Sequence, residues 1–208
     1  KVMTMRGDCT GYLSARAVLS APDVDIAVLE TARGGILKRG LGFDRCDIGV
    51  VLNVSDDHLG MDGVDTIEDL AQVKAVVAKS ASRAVVLNAD DPRCVAMAPD
   101  LRRGVEVLYF AQDADNPVLL RHLESGGRAV YVHDNVMVLA NGARHEALLD
   151  VRSMAFSLRG LARYNVENAL AAAAALVAAG FCNDEVAAGL GSFVSDGKRN
   201  PLRSNVFD

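Results

Sequence analysis

No C-x-x-C pair occurs among the four cysteines, Cys9, Cys46, Cys94 and Cys182, which lie far apart in the chain. Neither a zinc site nor a disulfide framework is indicated by that spacing. The expectation is reduced, buried thiols in a cytoplasmic protein. No apolar run approaches the roughly 18 residues that cross a bilayer. The alanine-rich stretch 169–179 is too short and stops at Gly180. Lys and Arg are scattered without a basic block, and the net charge is −5. That balance argues against a nucleic-acid surface built on bulk charge. Neither a membrane nor a nucleic acid is therefore an expected partner. No signal-peptide pattern opens the chain, and it begins at Lys1 rather than Met, so a trimmed piece of a longer protein is expected.

What is present is a sequence with enough apolar residues for a sizeable core: half of its 208 residues are hydrophobic. "VDIAVLE" (24–30), "CDIGVVLNVS" (46–55), "AVVLNADD" (84–91) and "EVLYFA" (106–111) read as strands. Their apolar character is continuous rather than alternating, which is the mark of a parallel sheet covered on both faces. "TARGGILKRGLGF" (31–43) reads as a glycine-rich loop, and 66–81 as a helix. Residues 127–151 change character to short antiparallel strands, with turns at Asp134-Asn135 and Asn141-Gly142. "YNVENALAAAAALVAAG" (164–180) predicts a long helix stopped by Gly180. "NDEVAAGLGSF" predicts a shorter one. The fold class is α/β: a mostly parallel sheet flanked by helices, with a small antiparallel portion around 127–157.

Ligands of open parallel sheets bind outside the carboxyl ends of the strands. Three predicted strands end in polar groups there: Glu30; Asn53 through His58; and Asn88, Asp90 and Asp91. Asn and Asp also favour turns for local reasons, but three such endings at one edge point to a site. Glu30 and His58 are candidates to share a divalent cation. A carboxylate with several waters suits magnesium, whereas a strand-end hydrogen bond is the other role open to His58. Lys74 falls at the centre of a helical arc formed by Ile67, Leu70, Ala71, Val77 and Ala78. Two outcomes are open to a lysine so placed. The stem can be buried with the ammonium in water. Alternatively, burial lowers its pKa and leaves a reactive amine able to form a carbamate with carbon dioxide. Asn165 and Asn168 either cap the alanine-rich helix or read the edge of a base such as adenine. "GSFVSDGKR" (191–199) is not a phosphate loop. Five residues separate its glycines, Arg199 replaces the Ser/Thr, and no strand precedes it.

Five segments together resemble a known family: "RGDCTGYLSAR" (6–16), "VLETARGGILKRGLGFDRCDIGVVLNVSDDHLG" (28–60), "DTIEDLAQVK" (65–74), "VLNADDP" (86–92) and "YNVENALAAAAAL" (164–176). They are similar to the Mur-ligase-like carboxyl-terminal half of the cyanophycin synthetases, within the superfamily of peptidoglycan amino-acid ligases and folylpolyglutamate synthetase. The resemblance implies a central ATPase domain over 1–195, P-loop-like but lacking the P-loop segment and incomplete at its N-terminus. A linker over 196–208 would then lead toward a further ligase domain.

The implied chemistry is ATP-dependent activation of a carboxylate as an acyl phosphate, which an amine then displaces. In this branch, arginine is added to the aspartate β-carboxylate of a poly-aspartate chain. The implied cofactors are ATP and Mg2+, and a homo-oligomer is compatible with this reading. By the same resemblance, Glu30 and His58 correspond to magnesium ligands. Lys74 corresponds to a carbamylated lysine holding a second magnesium, and Lys74 and His58 make up the catalytic pair. Asn165 and Asn168 correspond to an adenine-side motif in which Tyr164 replaces the usual His. Arg203 corresponds to the Arg of a P-G-R motif whose glycine is here Leu202, and Asn53 joins the nucleotide-side residues. The 208 residues alone are expected to be inactive. The competing readings are another Mur-type ligase, acting on a peptidoglycan precursor or a folate, and a non-catalytic module that keeps the fold.

Overall fold

The computed structural model describes residues 9–56 and 59–194. Six strands form one sheet in the order β1 (Cys46–Val51), β2 (Ala81–Asn88), β3 (Glu106–Ala111), β4 (Arg128–His133), β5 (Val136–Asn141) and β6 (Arg144–Asp150). The first four are parallel, and β5 and β6 add antiparallel to β4. The chain is thus α/β with a mostly parallel sheet and an antiparallel portion. The β4–β5 turn is Asp134-Asn135, both with positive φ, the geometry that favours Asn and Asp in tight hairpins. The next turn sits one residue later than expected. Asn141 still pairs with Arg144, and Gly142 takes φ 54°.

Both faces of the parallel strands are buried, which is why their sequences do not alternate. Val85, Leu87, Tyr109, Ala111 and Ala129 enter one core, beneath α3 (Ile67–Ser80), α4 (Pro92–Val95) and α5 (Pro117–Glu124). Ala84, Val86, Leu108, Phe110 and Val130 enter the other, beneath α6 (Arg163–Ala179). Helix α6 packs across all four parallel strands. Its buried alanines, Ala169, Ala171, Ala173, Ala174 and Ala178, let it do so at close range. Gly180 ends it in the left-handed conformation. Helix α7 (Asn183–Ser192) packs on α6 and β6. Thr66 and Asp69 form a reciprocal capping box that starts α3.

Four expectations fail here. Residues 24–30 are not a strand among the described residues. Ile26 is 66% and Val28 94% exposed. A strand needs a neighbour to pair with, and apolar composition alone does not supply one. A cavity of about 790 Å3 is lined by residues of this segment and by Cys46, Asp47 and Ile48 of β1. Two further helices lie in and before the glycine-rich stretch. Helix α1 (Tyr12–Leu19) precedes it, and α2 (Arg33–Arg39) lies within it. Gly34 and Gly35 each cost a helix about 1 kcal/mol relative to alanine, which hides α2 in the sequence. Gly35 comes near the backbone of Gly11 and Thr10, where a Cβ would sit at 3.4 Å. Helix α6 begins two residues before Asn165, with Ala162 rather than Asn165 at its N-cap. No disulfide joins the thiols, but Cys9 and Cys182 are exposed and only Cys94 is buried.

Gly49 of β1 is required by packing. A Cβ there would lie 2.8 Å from the Val77 carbonyl of α3. Gly49→Ala is expected to destabilise the fold by about 1–3 kcal/mol through overpacking, read as a lowered midpoint in thermal or denaturant unfolding.

Candidate functional site

The carboxyl ends of β1, β2 and β3 are joined by side chains. Asn88 ends β2 and is 3% exposed. Its Nδ2 donates to the Leu52 carbonyl at 2.9 Å, and its Oδ1 accepts from the Asp90 amide at 2.9 Å. Asp91 caps α4, accepting from the Arg93 amide at 2.8 Å, and also accepts from the Val54 amide at 2.5 Å. Asp90 accepts from the Gln112 amide at 2.7 Å and from Asn116 Nδ2 at 2.9 Å. Asn116 in turn caps α5 through Val118 and Leu119. The acids that mark the end of β2 in the sequence therefore act as braces. They fix where the chain leaves β1 and β3.

A second chain of contacts runs above these braces. Lys74 of α3 is half-buried, and its Nζ donates to the Asn53 carbonyl at 2.7 Å. Asn53 Nδ2 donates to Glu167 Oε1 of α6 at 3.1 Å. Gln112 Nε2 donates to Glu167 Oε2 at 3.2 Å, and Arg163 Nε donates to Gln112 Oε1 at 3.2 Å. Four elements thus converge on one polar line. The helical arc correctly aims Lys74 inward, and the ammonium finds a strand-end carbonyl.

The structure brings Asn53 and Lys74 together. Asn165 lies near the start of α6, but its Nδ2 donates to the Phe156 carbonyl at 2.6 Å. Asn168, one turn on, is exposed. The spacing i, i+3 places the two amides on one helix face. Glu30 is exposed in the segment that is not a strand, so it does not mark a strand end. His58 and Arg203 lie outside the described residues. Among the described residues no group of three His, Cys, Asp or Glu side chains gathers to hold a metal. The loop just beyond His58 is anchored. Arg33 of α2 donates to the Met61 carbonyl at 2.5 Å and approaches Asp62 at 3.5 Å.

Sequence reasoning misses Gln112, Arg163 and Glu167. Glu167 lies on the predicted helix 164–180, and the observed start at Arg163 puts Arg163 and Glu167, four apart, on one helix face. Gln112 directly follows a strand, the same position that draws attention to Asn53.

Cys94 sits against this framework, its Sγ 3.6 Å from Asp91 Oδ2. Burial first, then the negative charge of Asp91, push its thiol from an ordinary 9.0 up to about 12. Native Cys94 is expected to resist a thiol reagent at pH 8 while exposed Cys9 and Cys182 react. Because the folded-state value is raised, this contribution to stability is complete below about pH 9 and is lost as pH rises toward 12. Unfolding midpoints measured across that window check the direction. Asn88→Leu would strand the Leu52 carbonyl and the Asp90 amide, at a cost of about 1–3 kcal/mol in unfolding experiments.

The profile of the Mur ligase middle domain matches residues 6–176. The chain is 40% identical to the cyanophycin synthetase of Synechocystis sp., over 98% of this chain and 23% of that protein. It is 39% identical to the cyanophycin synthetase of Geminocystis herdmanii, over 99% of this chain and 24% of that one. The UDP-N-acetylmuramyl-tripeptide synthetase of Lactococcus lactis subsp. cremoris is 31% identical over 78% of this chain and 29% of its own length. The chain spans about a quarter of the length of the curated relatives it matches.

Proposed function

We propose, since the chain belongs to the Mur ligase family through its middle domain, that it is the nucleotide-handling domain of an ATP-dependent amide-bond-forming ligase. The reading that fits best is the cyanophycin-synthetase kind, in which arginine is joined to the β-carboxylate of an aspartate in a poly-aspartate chain through an acyl phosphate. The observation that carries it is the polar line of Lys74, Asn53, Glu167 and Gln112 at the carboxyl ends of β1 and β3. That is where open α/β sheets hold their ligands. In this reading residues 1–195 are the domain and 196–208 a linker. The chemistry takes place in the cytoplasm, and the 208 residues alone do not turn over.

The residues present fit a bound cation in one checkable respect. A carbamate formed on Lys74 keeps one N–H, so the hydrogen bond to the Asn53 carbonyl survives the modification while a carboxylate is gained. Glu30, His58 and Lys74 would hold Mg2+ and Asn165 and Asn168 would lie beside the adenine, with Arg203 approaching the nucleotide. Magnesium would supply neutralisation of the charge that develops on transferring phosphoryl oxygens. The chain's own contribution is positioning. Glu167 orients the Asn53 amide, Asn53 orients Lys74, and Asp91 fixes the Val54 amide that follows.

The test is an ATP-consumption assay with arginine and a poly-aspartate primer, on the protein as encoded. Lys74→Ala and Glu30→Ala are each expected to lower turnover on the order of 100-fold, with thermal melting showing that each variant is folded. Unchanged turnover and magnesium dependence in both variants would favour a non-catalytic module. Activity with a muramyl peptide or folate in place of the primer would assign a different member of the superfamily.

A further inference from the structure

At the corner where α5 gives way to β4, away from the polar line, a histidine is wedged between a ring and a glycine. His122 lies in the last turn of α5. Its imidazole meets Tyr109 of β3 edge to face, with centroids 4.9 Å apart and planes at 89°. Its Nε2 is buried and has no hydrogen-bond partner among the described residues. The ring rests on Gly127, where a Cβ would lie 2.2 Å from that nitrogen, so a side chain there would displace the imidazole.

The backbone of the same residue closes the corner. The His122 carbonyl accepts from the Gly127 amide at 2.9 Å and from Ser125 Oγ at 2.7 Å. The Gly127 carbonyl accepts from the Gly142 amide at 2.9 Å. The α5–β4 turn is thereby tied to the β5–β6 turn through the glycine on which the imidazole sits.

A neutral imidazole has one donor and one acceptor nitrogen, whereas the protonated ring has two donors and a charge. A charge gained in a buried seat needs an anion within reach. From the strands packed on α5, the titratable groups near the ring are Tyr109 and Glu106 of β3 and Arg128 of β4. Glu106 is the anion among them, and both its oxygens already accept from Arg128, at 2.6 and 2.7 Å. Arg121 and Glu124 of α5 stand one and two residues away, spacings that do not face each other on a helix. Burial holds the imidazole below the ordinary 6.5 and pushes the Tyr109 phenol up.

We propose that His122 is an acid-sensitive latch: neutral, it fills the seat between Tyr109 and Gly127 and keeps the two turns together, and on gaining a proton it leaves that seat and the corner opens. The device uses no nucleotide, metal or substrate, so it and the ligase reading can each fail alone. Because the folded-state value is lowered, its contribution to stability is complete above about pH 6.5 and is lost as pH falls below it. Asp69, Asp150, Glu106 and Glu185, also held down by their partners, add their losses only in the more acidic range below their ordinary 3.8 and 4.5.

The test is a histidine NMR titration of the 208-residue chain from about pH 7.5 to about pH 5, read together with the amide signals of Gly127 and Gly142. His122 is expected to titrate below 6.5, and both glycine amides should shift with the same midpoint. Unfolding midpoints should fall over that range. His122→Phe, which keeps a ring against Tyr109, should remove most of the fall. Titration at or above 6.5 overturns the proposal, as do glycine amides that do not follow the imidazole. An undiminished fall in His122→Phe overturns it as well. If His122→Phe does not fold, the titration of the unaltered chain decides alone.

Discussion

Covering both faces of the parallel sheet is the constraint from which the rest follows. With α3, α4 and α5 on one side and α6 on the other, the strands have no polar face. Every carboxylate, amide or amine that must meet a ligand is pushed to the strand ends. The acids at the end of β2 are spent on geometry: Asp90 and Asp91 hold the departing backbones of β3 and β1. Groups on neighbouring elements can then be aimed across the edge. Hydrogen bonds of this kind are individually modest, but several of them share the same groups, which ties the edge together.

Lys74 shows how that unit connects α3 with α6. Its ammonium fixes the Asn53 carbonyl, the same residue's amide reaches Glu167, and Glu167 is shared with Gln112. A movement of α6 relative to the sheet would therefore be felt at Lys74 through two side chains. The anionic Glu167 is met by two neutral amides, while Arg163 is engaged one step away at Gln112. Among the described residues the line is thus polar along its length, with amides rather than a cation on Glu167.

The strands β1, β2 and β3, the hairpins and helices α3, α6 and α7 were legible because burial on one face or two leaves a period in the sequence. The inward aim of Lys74 was legible for the same reason. Other features depend on partners distant in sequence. The apolar run 24–30 looks like β1 in composition but lacks its pairing. Helix α2 is masked by Gly34 and Gly35, of which Gly35 comes close to the Thr10 and Gly11 backbone just ahead of α1. Helix α5 starts at Pro117 after the Asn116 cap, a start signal that the sequence carries. The site was legible at Asn53 and Lys74, while Glu167 was not, because its role comes from residues 53 and 112 rather than from its own neighbours.

The two borders of the sheet differ in kind. Strand β6 carries Arg144, Glu146 and Asp150, with Arg144 paired to Glu146 and Asp150 to Arg152. Charge along an outer strand discourages a further strand from adding. Strand β1, at the other border, is bounded by a cavity whose lining mixes Ile26 and Ile48 with Asp25, Arg45 and Asp47. The sheet therefore has a polarity of growth: it is sealed on the hairpin side, and any added strand would be received beside β1.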